Sequence, residues 1–402
     1  MEKMAIEGGA KVRETVFPAW PSFSIEEKEA VLRVLDSGKV NYWTGHECRE
    51  FEREYAAYVG TKYAVALMNG TVALEGALKA LGVGPGDDVI VTSRSFVASA
   101  SVIVLQGANP IFADVDPDSQ NIIAESIMAV MTPNTKAIIA VHLAGWPCDM
   151  DPIMELADAH GIKVIEDCAQ AHGATYKGKP VGSIGHVAAF SFCQDKIVTT
   201  GGEGGMVVTN SKDIWESIWS YKDHGKSFDA VYNRKHPEGF RWLHESFGSN
   251  WRMTEMQAAI GRVQLARLNE SIIQRRRNAN VLRKGLCEIS ALRIPEFPDD
   301  IGHAYYKFYA FVRPEMLSSG WDRDRIMDAI NAEGVPCFSG SCSEIYLEKS
   351  FVDADIGPEN RLETAKDLGE TSLMFLVHPT LGEGEMNATV AAVRKVLSHA
   401  SK

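Results

Sequence analysis

Short apolar segments alternate with helical patterns along the N-terminal half of the chain. Segments such as "YAVAL", "DVIVT", "KAIIAVHL" and "KVIEDCA" are almost wholly apolar, and sequences with helical periodicity separate them. Strands that lack a polar face have to be buried on both sides, which is typical of parallel sheets covered by helices. We therefore predict an α/β fold whose large domain contains a mostly parallel seven-stranded sheet between helices.

Local signals also predict helix bounds. Ser24 and Glu27 form the pattern of a capping box, and Gly38 is a typical helix end. A second helix is predicted over Glu47–Val59, closed by Gly60. A single long helix is expected from Arg252 to about Cys287.

The C-terminal part of the chain predicts a second, smaller domain. The segments "YYKFYAFV", "GWDRDRIMDAINAEGV" and "GEMNATVAAVRKVLSHA" suggest a small α+β domain. We assign residues 1–270 to an N-terminal arm and the large domain, and residues 271–402 to the small C-terminal domain.

Charge and composition exclude several classes of protein. The net charge of −12 argues against a general nucleic-acid-binding protein, which needs a basic surface. No apolar run approaches the roughly 18 residues of a membrane span. The first residues lack the apolar stretch of a signal peptide, and the seven cysteines include no C-x-x-C pair. We expect a cytoplasmic protein with no membrane partner and no zinc site.

Candidate binding and catalytic residues follow several of the predicted strands. In open parallel α/β sheets ligands bind at the carboxyl ends of the strands. Asn69-Gly70-Thr71 lies between a strand and a helix, which suggests an anion site, although such turns are also plain helix caps. Phe96 follows the next strand and is either core or a ligand platform. Lys196, in "SFCQDKIVTTGGEGG", precedes a glycine run, but lone lysines are commonly surface charges.

Two adjacent carboxylates end another strand. Glu166 and Asp167 alternate faces, so one of them should point inward, where it needs a cationic partner or strong donors. Together with Ser191, five residues before Lys196, the set matches one ligand, pyridoxal 5'-phosphate. Its phosphate would bind at the turn of Gly70 and Thr71, and its flat ring would lie on Phe96. Its ring nitrogen would pair with a carboxylate, and its aldehyde would form a Schiff base with a lysine.

The blocks "NGTVALEGAL", "VIEDCAQAHGA", "SFCQDKIVTTGGEGG" and "NWRMTEMQAAIG" resemble those of the DegT/DnrJ/EryC1/StrS sugar aminotransferases, which have the aspartate-aminotransferase (type I) fold. The resemblance implies that Lys196 carries the cofactor and that Ser191 binds its phosphate. It further implies that Asp167 pairs with the ring nitrogen and that Gln170 approaches the ring hydroxyl.

The same resemblance implies the remaining cofactor contacts. Gly70 and Thr71 would form the phosphate loop, and Phe96 would stack on the ring. Asn250 would reach the phosphate across a dimer interface, so the resemblance implies a homodimer with shared active sites.

The implied reaction moves an amino group from glutamate to a keto- or aldehyde-sugar, through the pyridoxamine 5'-phosphate form of the cofactor. The resemblance suggests a nucleotide-linked sugar and amino-sugar biosynthesis for surface polysaccharide or lipopolysaccharide. "CQDK" beside the lysine and "CFSGSCSEIYLEKSF" in the sugar-contacting region depart from the common family pattern. A free acidic sugar, such as an oxidised octulosonate, is therefore an alternative substrate.

Three rival activities are open to a chain of this kind. A cofactor-dependent sugar dehydratase resembles this family but has histidine in place of the lysine, which Lys196 argues against. A regulatory relative without turnover would not need an intact set of lysine, carboxylate and phosphate-binding residues, so the presence of this set argues against it. An ordinary amino-acid aminotransferase would use a C-terminal arginine as a carboxylate clamp, yet only Arg361 and Arg394 follow residue 335, and neither lies in a convincing motif.

Overall fold

The predicted strands form at their expected positions in the structure, a computed structural model that describes residues 2–402. The α-helices are α1 (Ile25–Ser37), α2 (Glu47–Val59), α3 (Gly70–Ala80), α4 (Ala98–Leu105), α5 (Ala124–Val130), α6 (Met150–His160), α7 (Lys212–Tyr221), α8 (Phe228–Tyr232), α9 (Glu255–Ala266), α10 (Leu268–Leu286), α11 (Arg323–Ala332), α12 (Lys349–Asp353), α13 (Glu363–Thr371) and α14 (Glu383–Ala400). Within residues 2–402, none of the helices combines the length and the apolar character needed to cross a membrane.

The strands form one large sheet and two small ones. They are β1 (Tyr63–Leu67), β2 (Asp88–Thr92), β3 (Asn109–Ala113), β4 (Thr135–Val141), β5 (Lys163–Asp167), β6 (Thr175–Tyr176), β7 (Lys179–Pro180), β8 (Val187–Ser191), β9 (Gly205–Thr209), β10 (Leu292–Arg293), β11 (Ile301–Gly302), β12 (Phe308–Val312), β13 (Cys337–Phe338) and β14 (Ser372–Phe375).

The large sheet has seven strands, as predicted, and their order is β1-β9-β8-β5-β4-β2-β3. Strand β9 runs antiparallel to both of its neighbours, whereas β8, β5, β4, β2 and β3 pair in parallel. Since β1 and β8 both run antiparallel to β9, β1 points the same way as β8 and the other parallel strands. The carboxyl ends of all strands except β9 therefore lie at one edge of the sheet.

Helices bury both faces of this sheet, which explains why its strands are apolar throughout. Along β1, Val65 and Leu67 pack into one hydrophobic cluster, while Ala64 and Ala66 pack into another on the opposite face. This alternation follows from the two-residue period of a strand. A polar side chain in mid-strand would have no access to water on either face, so polar groups are restricted to the strand ends.

A second core forms around a four-stranded antiparallel sheet with the order β10-β12-β14-β13. Helices α10, α11 and α14 cover it, with side chains such as Leu282, Ile326 and Val393 buried in one cluster. Met4, near the N-terminus, is buried in the same cluster. Helix α10 contributes to both cores, since its Ile272 packs with the large sheet. The domain division at residue 270 stays a prediction.

The long helix expected from Arg252 to Cys287 is wrong in two respects. Residues 250–253 are extended, because Arg252 pairs with Leu67 and so continues the edge of the large sheet. Helix α9 starts only after Thr254, which caps it in a capping box with Gln257. At Arg267 the backbone leaves the helical region, with φ −100° and ψ 3°, and the Arg267 side chain pairs with the buried Glu27 of α1.

A buried histidine between β11 and β12, His303, predicts a pH dependence of stability. His303 stacks on Tyr305 with 3.9 Å between ring centroids, and its Nδ1 accepts a hydrogen bond from the Tyr305 N–H at 2.8 Å. Burial, reinforced by Arg283 and Arg276, lowers the pKa of His303 to about 3. The unfolded chain takes up this proton below about pH 6.5, and the folded chain does not, so stability falls as the pH drops.

We expect His303→Asn to lose less stability than the wild type on acidification. When the pH falls from 7.5 to 5.5, the wild type should lose about 1.4 kcal/mol more of its free energy of unfolding than His303→Asn, because the loss is roughly 1.4 kcal/mol per pH unit below the unfolded pKa. Urea unfolding at both pH values measures it, with the exposed His160→Asn as control. Identical pH dependence in His303→Asn and wild type would contradict the prediction.

Candidate active site

The carboxyl edge of the large sheet brings most of the predicted residues together. Gly70 follows β1, Phe96 follows β2, Asp167 ends β5 and Ser191 ends β8. These strands share one direction, so four segments that are far apart in sequence meet at one edge. Lys196 follows Ser191 in the loop that leaves the same edge.

An anion-binding cradle lies where α3 begins. The Asn69 side chain caps this helix by accepting the Val72 N–H at 2.9 Å, while the N–H groups of Gly70 and Thr71 have no acceptor among residues 2–402. A Cβ on Gly70 would lie 2.6 Å from the Cβ of Ser191 and 3.0 Å from its Oγ. Free N–H groups, a helix N-terminus and a hydroxyl are suited to a phosphate.

Asp167 is a buried carboxylate with only neutral donors. It is 4% exposed, and it accepts the Ser99 hydroxyl at 2.8 Å and the Ala169 N–H at 3.1 Å. Burial raises the pKa of Asp167 even though these donors oppose the shift. No cation of residues 2–402 forms an ion pair with this carboxylate, so a protonated ring nitrogen would supply the missing partner.

Glu166 is buried as well, which corrects the expectation that only one of the two carboxylates points inward. It accepts N–H groups of Gly182, Ile184 and Gly185 at 2.6–2.8 Å and contacts His142 at 3.1 Å. Burial alone would raise the pKa of Glu166, but His142 and the N–H donors outweigh burial and lower it. Its hydrogen-bonding capacity is used within the protein, so Asp167 is the carboxylate left for a ligand.

Lys196 is held by groups from other parts of the chain. Its Nζ donates to the Tyr306 hydroxyl at 3.4 Å and lies 3.4 Å from Oδ1 of Asp195. The Tyr306 hydroxyl in turn donates to Asp195. The indole N–H of Trp20 donates to the carbonyl oxygen of Lys196 at 3.0 Å. The ammonium therefore has a defined position but keeps partial access to solvent.

The other predicted residues differ in their placement. The Phe96 ring is 65% exposed at the edge that carries Asp167, so one of its faces is free to stack on a ligand. Gln170 is buried, and its Oε1 accepts the Ala144 N–H at 2.8 Å. Asn250 is exposed, and no side-chain hydrogen bond within residues 2–402 joins it to the other predicted residues.

Three residues of the site were missed from the sequence. The Ser99 hydroxyl donates a hydrogen bond to Asp167, and Ser99 lies in the same "TSRSFVAS" block as Phe96. A search for hydroxyl donors at the start of α4 would therefore have found it. Tyr306 and Trp20 gave no local signal, because they reach Lys196 across sequence separations of 110 and 176 residues. The residues as a whole fit the predicted cofactor: an anion cradle, a free aromatic face, an unpaired carboxylate and a positioned lysine.

Comparison with known proteins supports the same identification. The model of the DegT/DnrJ/EryC1/StrS aminotransferase family matches residues 21–394. The chain is 37% identical to GDP-perosamine synthase of Caulobacter vibrioides over 94% of its length and 97% of the relative. It is 33% identical to the Streptomyces venezuelae dTDP-3-amino-3,4,6-trideoxy-alpha-D-glucose transaminase over 94% and 93%. An aminotransferase structure from Psychrobacter cryohalolentis is 58% identical, with a TM-score of 0.94 over 95% of this chain and 99% of that one.

The cradle predicts a steric effect at Gly70. Gly70→Ala should lower cofactor affinity at least tenfold, because the added Cβ would displace the Ser191 side chain and crowd the anion site. Fluorescence titration of the apoprotein with pyridoxal 5'-phosphate measures the affinity. Gly84→Ala is the matched control, since a Cβ there meets no atom within 4 Å. Equal affinities of both variants would show that Gly70 does not line the cradle.

Proposed function

The chain belongs to the DegT/DnrJ/EryC1/StrS aminotransferase family, whose aminotransferases depend on pyridoxal 5'-phosphate, and from this membership we propose its reaction. The enzyme transfers the amino group of glutamate to a keto- or aldehyde-sugar. The sugar is nucleotide-linked, and the product enters amino-sugar biosynthesis for surface polysaccharide or lipopolysaccharide in the cytoplasm. The observation that carries the proposal is that the positioned Lys196 lies at the same edge of the sheet as a buried carboxylate and an anion cradle.

The printed names of the relatives support a nucleotide-linked acceptor. One curated relative is a GDP-perosamine synthase, and another is a transaminase of a dTDP-linked sugar. Both align with this chain over more than nine-tenths of their own length. The presence of lysine at position 196, rather than histidine, favours transamination over the dehydratase alternative.

The residues of the edge have separate tasks in binding. The N–H groups of Gly70 and Thr71 and the Ser191 hydroxyl would hold the phosphate, and Phe96 would cover the ring. Asp167 would keep a proton on the ring nitrogen, since a buried carboxylate without a cation favours a protonated partner. When bound, the cofactor supplies a carbonyl that accepts the amino group and a ring that withdraws electrons.

Lys196 would do the proton transfer. Its amine, when not attached to the cofactor, would take the proton from Cα of the substrate and deliver it to C4', the carbonyl carbon of the cofactor, acting as general base and then as general acid. Tyr306 and Asp195 limit the positions of Nζ, because the Tyr306 hydroxyl accepts from it and donates to Asp195. A lysine that is oriented before the reaction loses less entropy in the proton transfer.

The dimer belongs to the proposal as well. Asn250 is exposed, so it is free to serve a second copy of the chain. The preceding segment carries three exposed aromatic side chains, Phe240, Trp242 and Phe247. Exposed apolar side chains of this size favour burial against a partner. We propose a two-fold homodimer in which Asn250 contacts the phosphate held by the partner subunit.

The role of Lys196 is tested by trapping and by spectroscopy. Borohydride reduction of the wild-type holoenzyme should leave pyridoxyl phosphate on the peptide that contains Lys196, as read by mass spectrometry. Lys196→Ala should bind the cofactor without this label, and its reaction with glutamate should slow by about a thousandfold or more.

Two outcomes would contradict this prediction. Label on another lysine would place the attachment elsewhere. Unchanged glutamate-driven absorbance changes in Lys196→Ala would remove the proton-transfer role. A wild-type holoenzyme that is labelled but does not respond to any amino donor would favour the regulatory alternative.

The shared site is tested by subunit exchange. Asn250→Asp should be inactive because a carboxylate would face the cofactor phosphate, and Lys196→Ala should be inactive for lack of the amine. After random exchange, the mixed dimers contain one intact site each. Activity should then recover to about a quarter of the wild type if the sites are independent.

The control for this experiment uses the double variant Lys196→Ala/Asn250→Asp. Mixed with Lys196→Ala, it offers no intact site, so no activity should return. If exchange is verified by mass and the first mixture also stays inactive, Asn250 serves its own chain.

A further inference from the structure

A second lysine lies beside Lys196 and has no anionic partner of its own. The Nζ of Lys307 is 4.7 Å from the centroid of the Tyr306 ring, and the Nζ of Lys196 is 5.0 Å from the same centroid. Lys307 forms no ion pair and no hydrogen bond through its side chain with any of the residues that the structure describes. The ammonium groups of Lys196 and Lys307 thus both lie within about 5 Å of the ring centroid of Tyr306 at the candidate active site.

The surrounding charges are predominantly positive. Arg275 is 1% exposed and lies near the same tyrosine, where its Nη1 donates to the Tyr305 and Tyr306 carbonyls at 3.3 Å. Its Nε and Nη2 have no partner within residues 2–402. Two carboxylates lie near these three cations: Asp195, whose charge acts on Lys196, Lys307 and Arg275, and the buried Asp167, on which the charge of Lys196 acts. In a chain with a net charge of −12, such a local excess of positive charge needs an explanation.

The state of Lys307 supports a ligand-binding role. Burial lowers the pKa of Lys307 to about 8, and Arg275 and Lys196 add to the effect while Asp195 opposes it. A lysine that only packed on an aromatic ring would extend its ammonium into water. Lys307 instead remains partly buried with no ion pair or hydrogen bond to the described residues, which favours a group that gains its partner when an anion binds.

We propose that Lys307 is the carboxylate-binding residue of this active site. The proposal rests on the proposed aminotransferase function and names a residue for substrate charge that the sequence blocks do not identify. The C-terminal arginines do not replace it, because Arg361 pairs with Glu344 and Arg394 lies beside Glu288. The carboxylate belongs either to the amino donor or to an acidic sugar.

The experiment compares Lys307→Met, Lys307→Arg and the exposed control Lys62→Met. Calorimetry with the unreactive dicarboxylate maleate measures binding without turnover. Lys307→Met should bind maleate at least tenfold more weakly than wild type, since a hydrogen bond to a charged group is lost. Lys307→Arg should recover most of the affinity, and Lys62→Met should equal the wild type. Circular dichroism melts establish that all variants fold.

Two further measurements distinguish the sources of the carboxylate. If it belongs to the donor, Lys307→Met should raise the glutamate concentration for half-maximal conversion about tenfold, with little change in the limiting rate. If it belongs to the sugar, the preference for UDP-glucuronate over UDP-glucose as inhibitor should vanish in Lys307→Met while glutamate is unaffected. Either result supports the proposal.

Unchanged binding of maleate, glutamate and UDP-glucuronate in Lys307→Met would overturn it. A fall in the limiting rate alone would also overturn it, because it would assign Lys307 to the chemistry rather than to binding. If wild-type enzyme does not react with glutamate, the proposed function fails, and the maleate result still decides the role of Lys307.

Discussion

Burial of both faces of the seven-stranded sheet is the constraint on which the rest of this protein depends. Alternate side chains of each strand pack under helices on opposite faces, so the sheet has no surface on which polar groups could meet a ligand. Such groups are stable only where a strand leaves the sheet. Because six of the seven strands point the same way, the turns after β1, β2, β5 and β8 gather at one edge. The location of the site therefore follows from the packing of the core.

The electrostatics of that edge differ sharply between two adjacent residues. Glu166 is buried with N–H donors and His142 around it, and its pKa is lowered. Asp167, one residue later and on the opposite face, has two neutral donors and a raised pKa. Buried carboxylates are costly without compensation. The protein satisfies Glu166 internally and leaves Asp167 without a cationic partner among residues 2–402.

The site also depends on the chain beyond the large sheet. Tyr306 is buried with residues of the large-sheet core, although it lies just before β12 of the small sheet, and its hydroxyl contacts Lys196. Trp20, near the N-terminus, bonds to the backbone of the same lysine. Two distant segments thus fix the position of Lys196, one through its amine and one through its backbone. The position of Lys196 therefore depends on contacts from outside the large sheet.

The sequence by itself determined the features that depend on neighbouring residues. The strand bounds, the capping box of Ser24 and Glu27, and the turn at Gly70 were predictable, because each arises from hydrophobic period or local hydrogen bonds. The blocks around Asp167 and Lys196 also identified the family. The tertiary structure decided what depends on distant partners: the helix break at Arg267, the different partners of Glu166 and Asp167, and the places of Tyr306 and Lys307 beside Lys196. Such contacts leave no periodic trace in the sequence, since they form only when packing brings separate segments within a few ångströms.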